Sequence, residues 1–159
     1  MNVAIYRFLG IAAVISSLSG CTTAGALHDY LSEVFPSGSA IKITDTCGGT
    51  LGLSAAVAVI EVSLPGGAPP LNEESLATET GRWTRQESLQ EFIEQHAEPA
   101  GIGVTVGDGK DCLLDLRDDA EALLFEPSPG FYYRSNNQMV VIMLPDSEPG
   151  RGVVFAQGR

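Results

Sequence analysis

Histidines, cysteines and clustered carboxylates are the side chains here that could move protons, hold cations or form bonds. His96 shares a predicted apolar helix face with Leu89, Phe92 and Ile93, a setting that suits a hydrogen-bonded core or rim histidine better than a general base. His28 lies beside Asp29 and reads as solvated surface. Asp115, Asp118, Asp119 and Glu121 crowd together, but a position between a strand and a helix serves capping and helix-dipole contacts as well as it would serve a cation. The chain has no Gly-x-Ser-x-Gly elbow, no phosphate-binding glycine loop and no zinc-ligand spacing, the motifs whose geometry would name a reaction. The expectation is a non-catalytic protein without cofactor, metal or small-molecule substrate. Trp83, Tyr132 and Tyr133 are the large amphipathic side chains most able to anchor a protein contact, unless they pack in the core.

The amino terminus is more specific. One cation, Arg7, precedes an apolar run over residues 8–15, and Ser16-Ser17-Leu18-Ser19-Gly20 leads to Cys21. These are the parts of a secretory signal. A transmembrane helix is the alternative, but the uncharged stretch 8–21 covers 14 residues, short of the roughly 20 that span a bilayer. Leu18-Ser19-Gly20-Cys21 resembles the lipobox of bacterial lipoproteins. The resemblance implies that residues 1–20 are removed and that Cys21 becomes a lipid-bearing first residue. Two or three acyl chains hold a protein stably where one is marginal. Thr22 follows where an aspartate favours inner-membrane retention in enteric lipoproteins, so the resemblance implies an outer-membrane, periplasm-facing anchor, with the inner membrane as the alternative.

Removing residues 1–20 from the 159 leaves 139, a length suited to one compact domain or two very small ones. With Arg7 lost from nine basic residues, eight stand against 20 acidic ones, a net charge of −12. That balance disfavours nucleic acid and electrostatic attachment to anionic lipid. With Cys21 lipidated, Cys47 and Cys112 remain, and in an oxidising periplasm the pair is most simply a disulfide.

The elements that would position these residues follow from periodicity. Leu27, Tyr30, Leu31, Val34 and Phe35 form one stripe of a helix ended by Pro36. Residues 41–44 alternate as a strand, 47–50 read as a turn, and 51–64 are rich in Val, Ile and Ala, as a buried strand requires. Pro65-Gly66-Gly67-Ala68-Pro69-Pro70 opens a loop that reaches Gly81. Thr84-Arg85-Gln86-Glu87 fits a capping box, predicting a helix that stops before Pro99 and Gly101. Ile102, Val104 and Val106 alternate as a strand, 107–110 read as a turn and 112–116 as a second strand. Residues 119–125 suggest a short helix capped by Asp118 or Asp119. Residues 131–134 and 139–144 predict a hairpin around Ser135-Asn136-Asn137, and 153–156 an added edge strand. The expected class is α+β, a small mixed or antiparallel sheet of about six or seven strands with two or three short helices. A faint echo between 27–47 and 89–112 suggests a duplication, or chance.

Residues 89–144 then run helix, strand, turn, strand, short helix, hairpin. This order resembles the small N-terminal domains of secretins and of TonB-dependent receptors, with Tyr132-Tyr133-Arg134-Ser135-Asn136-Asn137 and the following Val/Ile strand resembling their closing hairpin. The division expected is signal 1–20, a helix-plus-strands part 21–64, a loop 65–81 and a secretin-N-like αββαββ part 82–159. By this resemblance the chain is a lipid-anchored accessory or assembly subunit of a secretion, pilus or conjugation complex, with an envelope protein as partner. The alternative is a periplasmic inhibitor or immunity protein, an acidic domain that occludes a basic enzyme or toxin.

Overall fold

The computed structural model describes residues 15–48, 56–69, 81–96, 102–137 and 139–157, without the side chains of 15–24, 102, 104 and 108. They form an α+β fold around one six-stranded antiparallel sheet, in the order β1-β2-β6-β5-β4-β3. The strands are β1 (Ala40–Gly48), β2 (Ala56–Ser63), β3 (Gly81–Gln86), β4 (Gly130–Ser135), β5 (Val140–Pro145) and β6 (Arg151–Ala156). The helices are α1 (Ile15–Val34), α2 (Leu89–His96), α3 (Ile102–Leu116) and α4 (Ala120–Phe125). No described helix is long and apolar enough to cross a membrane. Most of the signal segment, part of the 47–50 turn, residues 51–55, most of the 65–81 loop and residues 97–101 lie outside the described residues.

Both faces of the sheet are apolar because successive strand side chains point to opposite sides. Val57, Val59, Tyr132, Val141, Met143, Val153 and Phe155 meet α2, α3 and α4 on one face. Ala58, Ile60, Val62, Trp83, Tyr133, Ile142, Leu144 and Val154 meet α1 on the other. The stripe expected on α1 is in place: Leu31, Val34 and Phe35 are buried, with Leu27 and Tyr30 packed beside them. The predicted hairpin is β4–β5, with Phe131 opposite Leu144 and Tyr133 opposite Ile142.

Four local expectations are corrected. Residues 102–116 are one helix, not strand-turn-strand. Its sheet-facing positions, Val106, Gly109 and Leu113, are buried and spaced at three and four, a helical period that the alternation of Ile102, Val104 and Val106 disguises. A Cβ on Gly109 would come within 2.8 Å of both Phe155 and Val57, so this glycine is no turn residue but the point where α3 backbone lies directly on the sheet. The stretch 82–159 therefore lacks the αββαββ order, and the echo between 27–47 and 89–112 fails, since one copy passes into a strand and the other into a helix.

The helix cap sits four residues later than expected, because residues 81–86 belong to β3. Ser88 Oγ accepts from the Glu91 backbone N–H at 3.1 Å, and the Glu91 carboxylate accepts from the Glu87 N–H at 3.1 Å. Asp119 does not cap α4 through its side chain; its carboxylate is held by Arg117. Finally, β6 is a central strand between β2 and β5, not an edge. Gly152, Val153, Val154 and Phe155 are all buried, as befits a strand covered on both faces.

Candidate interaction surfaces

Cys47 and Cys112 are bonded, with their Cα atoms 5.6 Å apart. The bond joins the outermost strand, β1, to α3, so it staples one edge of the sheet to the three-helix layer. Cys21 lies within α1, and its side chain is outside the described set. At 1.5 Å per residue, its place on the helix is about 15 Å from Leu31, the first fully buried residue among the described side chains of that element.

The three aromatic residues expected as partner anchors are instead interior. Trp83 is 3% exposed, and Tyr132 and Tyr133 are fully buried. Their polar ends are committed as burial requires. The Trp83 indole N–H donates to the Val34 carbonyl at 3.3 Å, satisfying one of the free carbonyls at the C-terminus of α1. Tyr133 and Tyr30 share a hydroxyl contact of 3.1 Å, and the Tyr132 hydroxyl donates to the Ser128 carbonyl at 2.5 Å. Ring contacts at about 5 Å complete two aromatic groups, Phe35–Trp83–Tyr133 under α1 and Tyr132–Phe92–His96 on the opposite face. Buried and exposed positions alternate along β3, a strand pattern in a stretch whose local sequence predicts the end of a loop and a helix start.

Burial raises the ionisation of Tyr30 well above its ordinary range, and its hydroxyl contact with Tyr133 adds to this. Burial does the same for Tyr132. The His96 ring nitrogen Nδ1 lies 2.8 Å from the Phe92 carbonyl, a structural bond within its own helix. His28 is exposed. Asp115, Asp118, Asp119 and Glu121 are all exposed, and among the described residues no group of three or more His, Cys, Asp or Glu is placed to hold a metal ion.

Ion pairs cluster at two corners. Arg85 grips Asp146 with both guanidinium arms and lies 4.8 Å from the centre of the Phe131 ring. Arg117, its side chain only 10% exposed, pairs with Asp119 and with Glu148, tying the end of α3 to the β5–β6 turn. These bonds draw the Asp119 and Asp146 carboxyls below the usual range. Beside Asp146 an open groove of about 460 Å³ runs between Leu64, Phe131 and Leu144. Leu114 and Phe125 are the large apolar side chains left exposed among the described residues, Phe125 at 68%.

The charges on the two edges of the sheet differ. On β1, Lys42 pairs with Glu61 of the neighbouring strand, and the register slips between Ile43 and Asp45. On β3, pairing with β4 is unbroken over all six residues, and Arg82 lies directly opposite Arg134.

Compared with known proteins, the chain matches no family model, no curated protein and no solved structure.

Proposed function

We propose that this chain is a lipid-anchored, non-catalytic envelope protein that serves as an accessory or assembly subunit of a secretion, pilus or conjugation complex. The observation that carries the reading is the sequence Leu18-Ser19-Gly20-Cys21 at the end of a short charged-then-apolar leader. Lipid on Cys21 makes the membrane the first partner, through the outer membrane on its periplasmic side, and an envelope protein the second. The continuity of α1 from this motif to Leu31 supports the reading, since an anchor at Cys21 would bear on the domain through a helix. The reading draws support from α2, α4 and the hairpin β4–β5, which stand at the helix, short-helix and hairpin positions of the secretin-domain order. His96 spends its ring nitrogen on a carbonyl of its own helix, which suits a structural role.

The test combines fractionation with capture. The wild-type chain is expected to incorporate labelled palmitate and to sediment with outer membranes, and a Cys21→Ala variant to do neither. Capture from detergent-solubilised envelopes is expected to retrieve a large assembly. An unmodified thiol at position 21 overturns the anchor. A single basic partner, bound one to one and released by salt, overturns the assembly role in favour of an inhibitor.

A further inference from the structure

Among the described residues, the arginines of this acidic chain are partnered, with one exception that is a pair. Among the described residues, Arg85, Arg117 and Arg151 each lie within 4 Å of a carboxylate. Arg82 and Arg134 have no ion pair with any described residue, although acidic residues outnumber basic ones 20 to 9 in the chain. They are also direct partners across β3 and β4. Thr84 and Tyr132 are the next such partners but one, so both guanidinium groups start from the same side of the sheet as Tyr132 and Phe92. Like charges placed opposite each other in a sheet repel. Arg134 adds a second cost, because its Nε is closed off from solvent with no hydrogen-bond acceptor. Arg82 is exposed. One carboxylate reaching this point from outside would face both positive charges and relieve the repulsion between them.

Among the described residues, the strand that carries Arg82 has an open side, since β3 ends the sheet with β4 as its single neighbour. An edge strand offers a row of backbone donors and acceptors to any extended segment laid beside it. The opposite edge is obstructed, since β1 is kinked at Ile43 and Asp45 and is stapled through Cys47 to α3. β3 has neither obstacle. A segment paired with β3 would place one side chain opposite Arg82 on the face that Arg82 and Arg134 share.

We infer that the outer edge of β3 at residues 82–86 is a docking site for an extended segment of a partner protein, with an Asp or Glu of that segment seated on the Arg82–Arg134 pair. This deepens the proposed assembly role by naming the edge used and the charge of the partner segment, and it rests on that reading for its biological setting. It also reverses the simplest expectation from net charge, that so acidic a chain recognises a basic partner.

The test uses the full chain in detergent micelles, isotopically labelled, with a short valine–threonine peptide carrying a central glutamate. The glutamate peptide is expected to shift the backbone amides of residues 82–86 and the Arg134 Nε–H resonance, and to leave those of residues 40–48 in place. Replacing its glutamate by glutamine, or Arg82 by Gln, is expected to weaken binding by about tenfold, the scale of a close cross-interface charge pair. Arg82 is exposed, so Arg82→Gln leaves the fold intact, and an Arg82→Glu variant is expected to accept a lysine peptide instead. Equal binding of glutamate and glutamine peptides overturns the inference, as does binding at residues 40–48 or no binding at about millimolar peptide. Inorganic phosphate is the control: if it reproduces the arginine shifts while no peptide moves the β3 amides, the pair is a small-anion site and strand docking is overturned. None of these failures touches the anchor, which fractionation of Cys21→Ala decides separately.

Discussion

The two faces of the sheet are both apolar but differently covered. One is closed by three described helices whose contacts with it include Leu89, Phe92, Val106 and Leu113. Among the described residues the other is closed by α1, through Leu31, Val34 and the adjoining Phe35 and two polar fasteners, Trp83 to the Val34 carbonyl and Tyr30 to Tyr133. The difference separates global from local stability. Apolar contacts distributed over three helices must fail together, whereas a face closed mainly through one helix can open as a unit, at a free energy below that of global unfolding. Trp83, the one tryptophan of the chain, lies under α1, so its fluorescence reports on that face alone.

The largest effect is expected from Phe92→Ala. It removes a fully buried ring that stacks on Tyr132 and should cost about 3–5 kcal/mol, visible as coincident loss of far-UV signal and tryptophan burial in a denaturant titration. Leu31→Ala should cost about 2–4 kcal/mol yet break the coincidence, with Trp83 emission shifting to the red before the sheet melts. If both variants melt as one transition with both probes, the two faces are a single cooperative unit.

Removing the disulfide comes next. The bond closes a separation of 65 residues, for which chain entropy predicts a loss of about 4 kcal/mol in the absence of compensating relaxation. Because it fastens the three-helix side, reduction is expected to increase hydrogen exchange in β1 and α3 while leaving Trp83 emission unchanged in native buffer.

Smaller effects of opposite sign are expected within α3. Gly109→Ala sets a methyl group against Phe155 and Val57 and should destabilise by about 1–3 kcal/mol. At Gly107 a Cβ meets nothing within 4 Å, so Gly107→Ala should stabilise by about 0.5–1 kcal/mol through helix propensity. Paired thermal melts check the sign of each.

The smallest effect is a pH dependence with one contributor per face. Tyr30 and Tyr132 ionise above their ordinary value in the folded state. Their contribution is therefore complete below about pH 10, where both states are protonated, and is lost as pH rises and the unfolded phenol ionises first. Alkaline titration of Tyr30→Phe and Tyr132→Phe should each remove part of that loss, and only Tyr30→Phe should alter the accompanying change in Trp83 emission.

Much of the fold could be read from periodicity where one face decides it. The stripe from Leu27 to Phe35 and the hairpin around Ser135-Asn136-Asn137 appear as expected, because each satisfies its pattern locally. The reading of α3 failed because its glycines look like turn residues, whereas Gly109 is small to let a helix rest on Phe155. The reading of β3 failed because Thr84-Arg85-Gln86-Glu87 imitates a cap that Ser88 and Glu91 provide. Trp83, Tyr132 and Tyr133 could be named as important from their type alone. Whether they faced inward depended on strand partners far along the chain, which no local window contains. The Arg82–Arg134 pairing was hidden for the same reason, as was the unbonded Nε of Arg134.

The sulfur bridge has a topological consequence. Cys47 and Cys112 turn the backbone between them into a closed ring that takes in β2, β3 and α2, and the proline- and glycine-containing residues 65–69 belong to that ring. A protease that cut there once would linearise the ring without releasing a fragment. The clipped chain would migrate as one species until a reductant separated its halves, so a molecule damaged at this point would keep every strand of its sheet.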